Sequence, residues 1–89
     1  MSIEIMIPPL LSSYANNQYR FKVSGSTIGE CLRQLTEQFP TLRQPLFDKE
    51  GKLSPYAGVY VNQATRPGPL TQPVKDGDRL RVMMLISGG

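Results

Sequence analysis

Eighty-nine residues, 39% hydrophobic and 19% charged, make one small folded domain rather than a disordered chain. A domain of this length buries only about 60% of its unfolded surface, too little to wall in a deep catalytic cleft. Ten Lys/Arg against seven Asp/Glu give a formal net charge of +3, and the cations are spread along the sequence rather than bunched between aromatics, which argues against a nucleic-acid binder. With no histidine and one cysteine, Cys31, the chain has no His-based triad, no Cys-His pair, no internal disulfide and no ordinary zinc site.

The N-terminus, Met1-Ser2-Ile3-Glu4-Ile5, lacks the basic start and apolar stretch of a signal peptide, and no apolar run approaches the roughly 20 residues of a membrane span. Cytoplasmic residence without membrane association is the expectation. Ile3, Ile5 and Ile7 alternate with Ser2, Glu4 and Met6, the period-two pattern of a half-buried strand that Pro8-Pro9 ends. A polar turn region from Ser12 to Asn17 leads to a second alternating run. It sets Tyr19, Phe21 and Val23 on one face and Arg20 and Lys22 on the other, so the two runs read as a β-hairpin.

Thr27-Ile28-Gly29-Glu30 is a capping box, in which hydroxyl and carboxylate satisfy opposite backbone N–H groups at a helix start. Ile28, Cys31, Leu32, Leu35 and Phe39 then form one apolar stripe, and Pro40 closes the helix. Cys31 lies on that stripe, where a free cysteine packs as a small hydrophobe rather than relaying chemistry.

From Thr41 to Tyr56 the pattern weakens, with Leu46, Phe47 and Leu53 as core plugs around a turn at Asp48–Lys52. Gly58–Val61 is a short strand entering the turn Asn62-Gln63, and the prolines at 67, 69 and 73 forbid regular structure, leaving Leu70 as an anchor. Lys75-Asp76-Gly77-Asp78 is a tight turn in which both aspartates serve backbone hydrogen bonding, not catalysis. The last strand starts at Arg79. Leu80, Val82, Met84 and Ile86 face inward, and Met83 and Leu85 face the other way as a docking patch unless the loop from Thr65 to Pro73 covers them. Arg79 and Arg81 share that outer face, either to steer an acidic partner or as solvated edge charges.

The sequence ends Ser87-Gly88-Gly89. Glycine lacks a Cβ and passes through channels too narrow for side chains, so such a tail suits delivery of a terminal carboxylate into another protein's active site. The reading is a domain over 1–86 and a flexible tail over 87–89. If the last strand pairs parallel with the first, the tail projects past the sheet, where Ile86 to Gly89 fully extended spans about 13 Å.

Taken together, Ile3–Ile7, the helix opening Ser26–Leu32, Val59–Asn62 and Lys75-Asp76-Gly77-Asp78-Arg79-Leu80 leading to Gly88-Gly89 resemble the α+β, β-grasp (ubiquitin-like) sulfur carriers of the MoaD/ThiS family. That resemblance implies a mixed sheet covered by one main helix, and a carrier rather than an enzyme. It implies that an E1-like enzyme uses ATP to adenylate the Gly89 carboxylate, which a sulfur donor converts to a thiocarboxylate, with Gly88 and Ser87 as the tail. No cofactor or metal is expected on the chain itself, and ATP belongs to the activating partner. The acceptor is either a cysteine-synthase-like enzyme or the large subunit of molybdopterin synthase. Ile7–Leu11, Asp48–Leu53 and Val59–Asn62 look more like the cysteine-synthesis carriers, whereas Leu85-Ile86-Ser87 departs from the tripeptide that often precedes Gly-Gly. Two alternatives remain at this point: a protein modifier joined to lysines, and an interaction module with an incidental tail. When free, the chain is expected to be a monomer.

Overall fold

Strong alternation at both ends of the chain builds the centre of the sheet. In the computed structural model, which describes residues 2–85, strand β1 (Ile3–Met6) pairs antiparallel with β2 (Arg20–Val23) and parallel with β4 (Arg79–Met84). Strand β3 (Ala57–Val61) pairs antiparallel with β4, so the order across the sheet is β2-β1-β4-β3. Helix α1 (Ile28–Gln38) packs on one face, giving the mixed sheet with one main helix of the β-grasp arrangement.

The register decides which side chains form the core. Ile5 lies opposite Leu80 and Phe21, and Val59 lies opposite Val82, so every second residue of the four strands points toward α1. Ile3, Ile5, Leu80 and Val59 are fully buried there with Ile28, Leu32 and Leu35 of the helix stripe. Phe39, just past the helix, sets its ring 5.1 Å from that of Phe21 at a tilt of 60°, an edge-biased geometry that suits the ring quadrupoles. Cys31 is fully buried in this core.

The start of α1 is held from two directions. The Glu30 N–H donates to Thr27 Oγ1 at 3.1 Å, as the capping box requires, but the Glu30 carboxylate accepts from Ser26 N–H and Ser26 Oγ, one residue before the expected Thr27 N–H. Ile28 and Gly29 instead donate to Gln72 O and Leu70 O, so the proline-rich loop caps the helix with its own carbonyls. Gly29 permits this approach, because a Cβ there would stand 3.1 Å from Leu70 O.

The link between the first two strands needs correction. The link between β1 and β2 is no polar turn: Pro9–Ala15 winds into a 3₁₀ helix that buries Leu11 and Ala15, with Pro in its first turn and Asn16 left-handed at its end. The chain therefore spends this segment on a second layer of core, and Tyr19, read on the same face as Phe21 and Val23, is 48% exposed while those two are buried, although its carbonyl still accepts from Ile7 N–H. The weakly patterned stretch after Pro40 also folds, as a 3₁₀ turn (Pro40–Leu42) continued by a short helix α2 (Arg43–Leu46). Leu42 and Leu46 are fully buried four residues apart; Phe47 and Leu53 pack against the core from its margin.

Candidate functional site

Strand β4 carries the side chains expected to serve partners, and the structure sorts them by alternation. Leu80 and Val82 are buried and Met84 half-buried, whereas Met83 and Leu85 are 46% and 60% exposed on the opposite face. The loop from Thr65 to Pro73 does not cover that pair. Its hydrogen bonds tie it to the start of α1 and, through Gly68 N–H, to Val59 O of β3; its Pro67 packs over Gly58, the β3 neighbour of Met83, while Met83 itself stays 46% exposed. Leu85 donates its N–H to the carbonyl of Tyr56, whose side chain is itself exposed. An apolar strip of Met83, Leu85 and Tyr56 thus lies where β4 ends.

Arg79 and Arg81 stand on the same outer face. Arg81 is held: its guanidinium carbon sits 5.5 Å from the centroid of the Tyr60 ring, its partner residue across the β3–β4 ladder, and Nη2 reaches Ala64 O at 3.5 Å. Arg79 is exposed. A shallow depression of about 800 Å³ runs over this face, lined by Glu4, Met6, Arg20, Asn62, Arg79 and Arg81 among others. Arg20 and Met6 were not singled out from the sequence. The signal present was the exposed half of the second strand's alternation; what was lacking was the register that sets β2 two strands from β4.

The turn that launches β4 is a closed hydrogen-bond unit. Gly77 takes a φ of 88°, which favours glycine, and donates its N–H to Ser2 O. Asp78 is buried, with Oδ2 accepting from Lys75 N–H at 2.9 Å and Oδ1 accepting from Asn62 Nδ2 at 3.1 Å. Asn62, left-handed at φ 54°, accepts in turn from Arg79 N–H at 3.0 Å through its own Oδ1. Asp76 accepts from the Ser2 N–H. Both aspartates are thus structural: they tie the start of β4 to the end of β3 and to the N-terminus.

These bonds favour the charged carboxylate. The Lys75 N–H, then the Asn62 amide, hold the Asp78 carboxyl below its ordinary range against a smaller opposing effect of desolvation. The Ser26 N–H and hydroxyl do the same for Glu30. A depressed folded-state value means that the stabilisation is whole at neutral pH and is lost as the pH falls through the carboxylate range. Asp78→Ala, which removes the charged acceptor of the Lys75 N–H and of the Asn62 amide, is expected to cost about 1–3 kcal/mol at pH 7. It should also flatten the wild-type loss of stability on acidification, measured by urea unfolding as a function of pH.

Burial pushes the Cys31 thiol up, with the charge of Glu30 adding to it, so no thiolate forms near neutrality and the residue is a packing group. Among the described residues no three His, Cys, Asp or Glu side chains cluster to hold a metal ion, and no helix is long and apolar enough to cross a membrane. Gly88, Gly89, Ser87 and the inward placement of Ile86 lie outside the described residues, as does the boundary between domain and tail.

Known proteins share both sequence and fold with this chain. The ThiS family model matches residues 14–89. The sulfur carrier protein CysO of Mycobacterium tuberculosis is 27% identical over 93 residues, with both chains covered in full. In three dimensions the chain is similar to one from the crystal structure of the Amycolatopsis orientalis BexX/CysO complex, with a TM-score of 0.85, 26% identity and coverage of 98% and 99%. It is similar also to SAMP1 from Haloferax volcanii, with a TM-score of 0.88 and 25% identity over the whole of both chains. A family match that begins in the 3₁₀ segment, takes in every later element and runs through Gly89 shows that this chain belongs to the ThiS family of β-grasp sulfur carriers, which are carriers rather than enzymes.

Proposed function

We propose that the Gly89 carboxylate of this chain is adenylated by an E1-like enzyme at the expense of ATP, converted to a thiocarboxylate, and used to deliver sulfur to a biosynthetic acceptor. The observation that carries the reading is the family match through Gly88-Gly89, together with a central strand, β4, that leads to those residues. The chemistry requires each stage. A carboxylate is a poor electrophile because both oxygens share the charge and neither departs. Attack of a carboxylate oxygen on the α-phosphorus of ATP expels pyrophosphate and leaves an acyl adenylate. A hydrosulfide-equivalent donor then displaces AMP, and the thiocarboxylate so formed is a nucleophile held near its acceptor by the carrier's own docking.

Met83, Leu85, Arg79 and Arg81 supply that docking in this reading, since they lie along the outer face of β4, from its start at Arg79 to just past its end at Leu85, and are accessible to differing degrees. The full-length likeness to CysO supports a cysteine-synthase-like acceptor over the molybdopterin-synthase large subunit. The likeness to SAMP1, related to a solved structure described as a small archaeal modifier protein, favours a second reading, in which the activated tail forms an isopeptide bond with a lysine.

Intact-mass spectrometry of the untagged chain from its host, with fragmentation, tests these readings. Sulfur in place of one oxygen on Gly89 is the expected result. A lysine-linked conjugate in its place would select the modifier, and an unaltered Gly89 after incubation with ATP, sulfur donor and host extract would overturn both.

A further inference from the structure

The strand register gathers four cations that the sequence keeps far apart. Lys22, Glu4 and Arg79 form one row across β2, β1 and β4, and Arg20, Met6 and Arg81 form the next. Adjacent strands lie about 4.8 Å apart, so the array covers three strands within roughly 10 Å. Arg20, Lys22 and Arg79 are exposed and Arg81 is half-buried. Among the described residues the one ion pair within 4.0 Å is Lys52–Glu50, so none of the four cations has a carboxylate in contact, Glu4 included. The five charges on this face sum to +3, the formal net charge of the whole chain, and the remaining six cations and six carboxylates cancel.

We infer that the open face of the sheet, Arg20 and Lys22 of β2 included, docks an acidic protein surface: that of the E1-like enzyme which receives the tail. The inference rests on the carrier reading above. A net charge of +3 on one face, four cations around the single carboxylate of Glu4, focuses a field that speeds and orients encounter with an acidic partner. Met6, Met83 and Leu85 lie among them, and methionine with arginine over an apolar strip is the composition of a protein interface. Single-stranded nucleic acid would instead need a series of free aromatic faces to stack on, whereas Tyr60 already has Arg81 on it and Tyr56 stands alone at the end of β4. Because the array crosses from β2 to β4, a partner that engages both strands is registered along the sheet with its active site at the end of β4.

The test pairs calorimetric titration of the full chain against the host's E1-like adenylating enzyme with ATP–pyrophosphate exchange on the same proteins. Affinity is expected to fall by roughly tenfold or more between about 50 and about 300 mM salt. Arg20→Glu with Lys22→Glu should weaken binding and raise KM for the carrier by roughly tenfold or more, with kcat unchanged. Lys49→Glu with Lys52→Glu, an equal change of net charge in an exposed turn, should shift either by less than about twofold. Arg20→Gln with Lys22→Gln gives an intermediate effect and serves if the reversal disturbs β2. Equal effects of the two reversals, or salt-independent affinity, would overturn the inference. So would tight binding of a single-stranded RNA of about 20 nucleotides that Arg20→Glu with Lys22→Glu abolishes while enzyme affinity stays constant. Binding without exchange would remove the tail chemistry and leave the face to be judged on affinity; neither binding nor exchange would overturn both.

Discussion

Deleting Gly89, or adding one alanine after it, is expected to reduce ATP–pyrophosphate exchange by about three orders of magnitude or more, with the thermal midpoint as the folding control. The reasoning is geometric. One residue of extended chain advances the terminus by about 3.3–3.6 Å, while a reacting carboxylate must approach its phosphorus to about 3–3.5 Å. A one-residue error therefore displaces the nucleophile by the whole of the required approach distance. Affinity for the activating enzyme should change much less, since the residues proposed to dock lie on the sheet. Exchange that survives the deletion would show that the terminal carboxylate is not the reacting group.

A second large effect separates the two faces of β4 at positions three residues apart. Leu80 is fully buried between Ile5 and Val61 in the ladder, and Leu80→Ala is expected to cost about 2–5 kcal/mol through lost transfer energy and the cavity left behind. For a domain of this size that is a large share of a total stability of about 4–13 kcal/mol, and the midpoint should drop by at least about 8 °C. Met83, 46% exposed on the other face, has little to lose: Met83→Ala should stay within about 0.5 kcal/mol of the parent in stability. Its expected effect is on KM for the carrier in exchange. A Met83→Ala chain that is both stable and fully competent would remove that residue from the docking surface, whereas one that unfolds early would show that Met83 is part of the packing.

The difference between what the sequence disclosed and what it withheld follows from range. Alternation and helical stripes are local, so the isoleucines of β1, the core residues of β4 and the extent of α1 were legible, and Pro40 marked where the helix ended. The 3₁₀ helix over Pro9–Ala15 and the pair Leu42/Leu46 were not, because their apolar residues are too few to show a period and are fixed by the sheet and helix they cover. Nor was the full capping of α1 legible. Segment 70–74 lies against the helix start, a contact between residues some forty positions apart, and its carbonyls accept from the Ile28 and Gly29 N–H groups, which no local box serves.

For function the division is sharper. The sequence by itself bounded the chemistry on offer: the lack of histidine and a lone cysteine on an apolar stripe are one-dimensional facts, as is the Gly88-Gly89 on which the proposed tail chemistry rests. It also determined which side of β4 faces out, since alternation needs no partner strand. Only the tertiary structure decided how charge is distributed. Arg20 and Lys22 stand nearly sixty residues before Arg79 and Arg81, and along the chain they look like a scatter of solvated cations. The parallel pairing of β1 with β4 and the antiparallel pairing of β1 with β2 set them side by side. Strand register is fixed by burial of the opposite face, where Ile5 must meet Leu80 and Phe21, so the packing of the core is what assembles the charge on the surface.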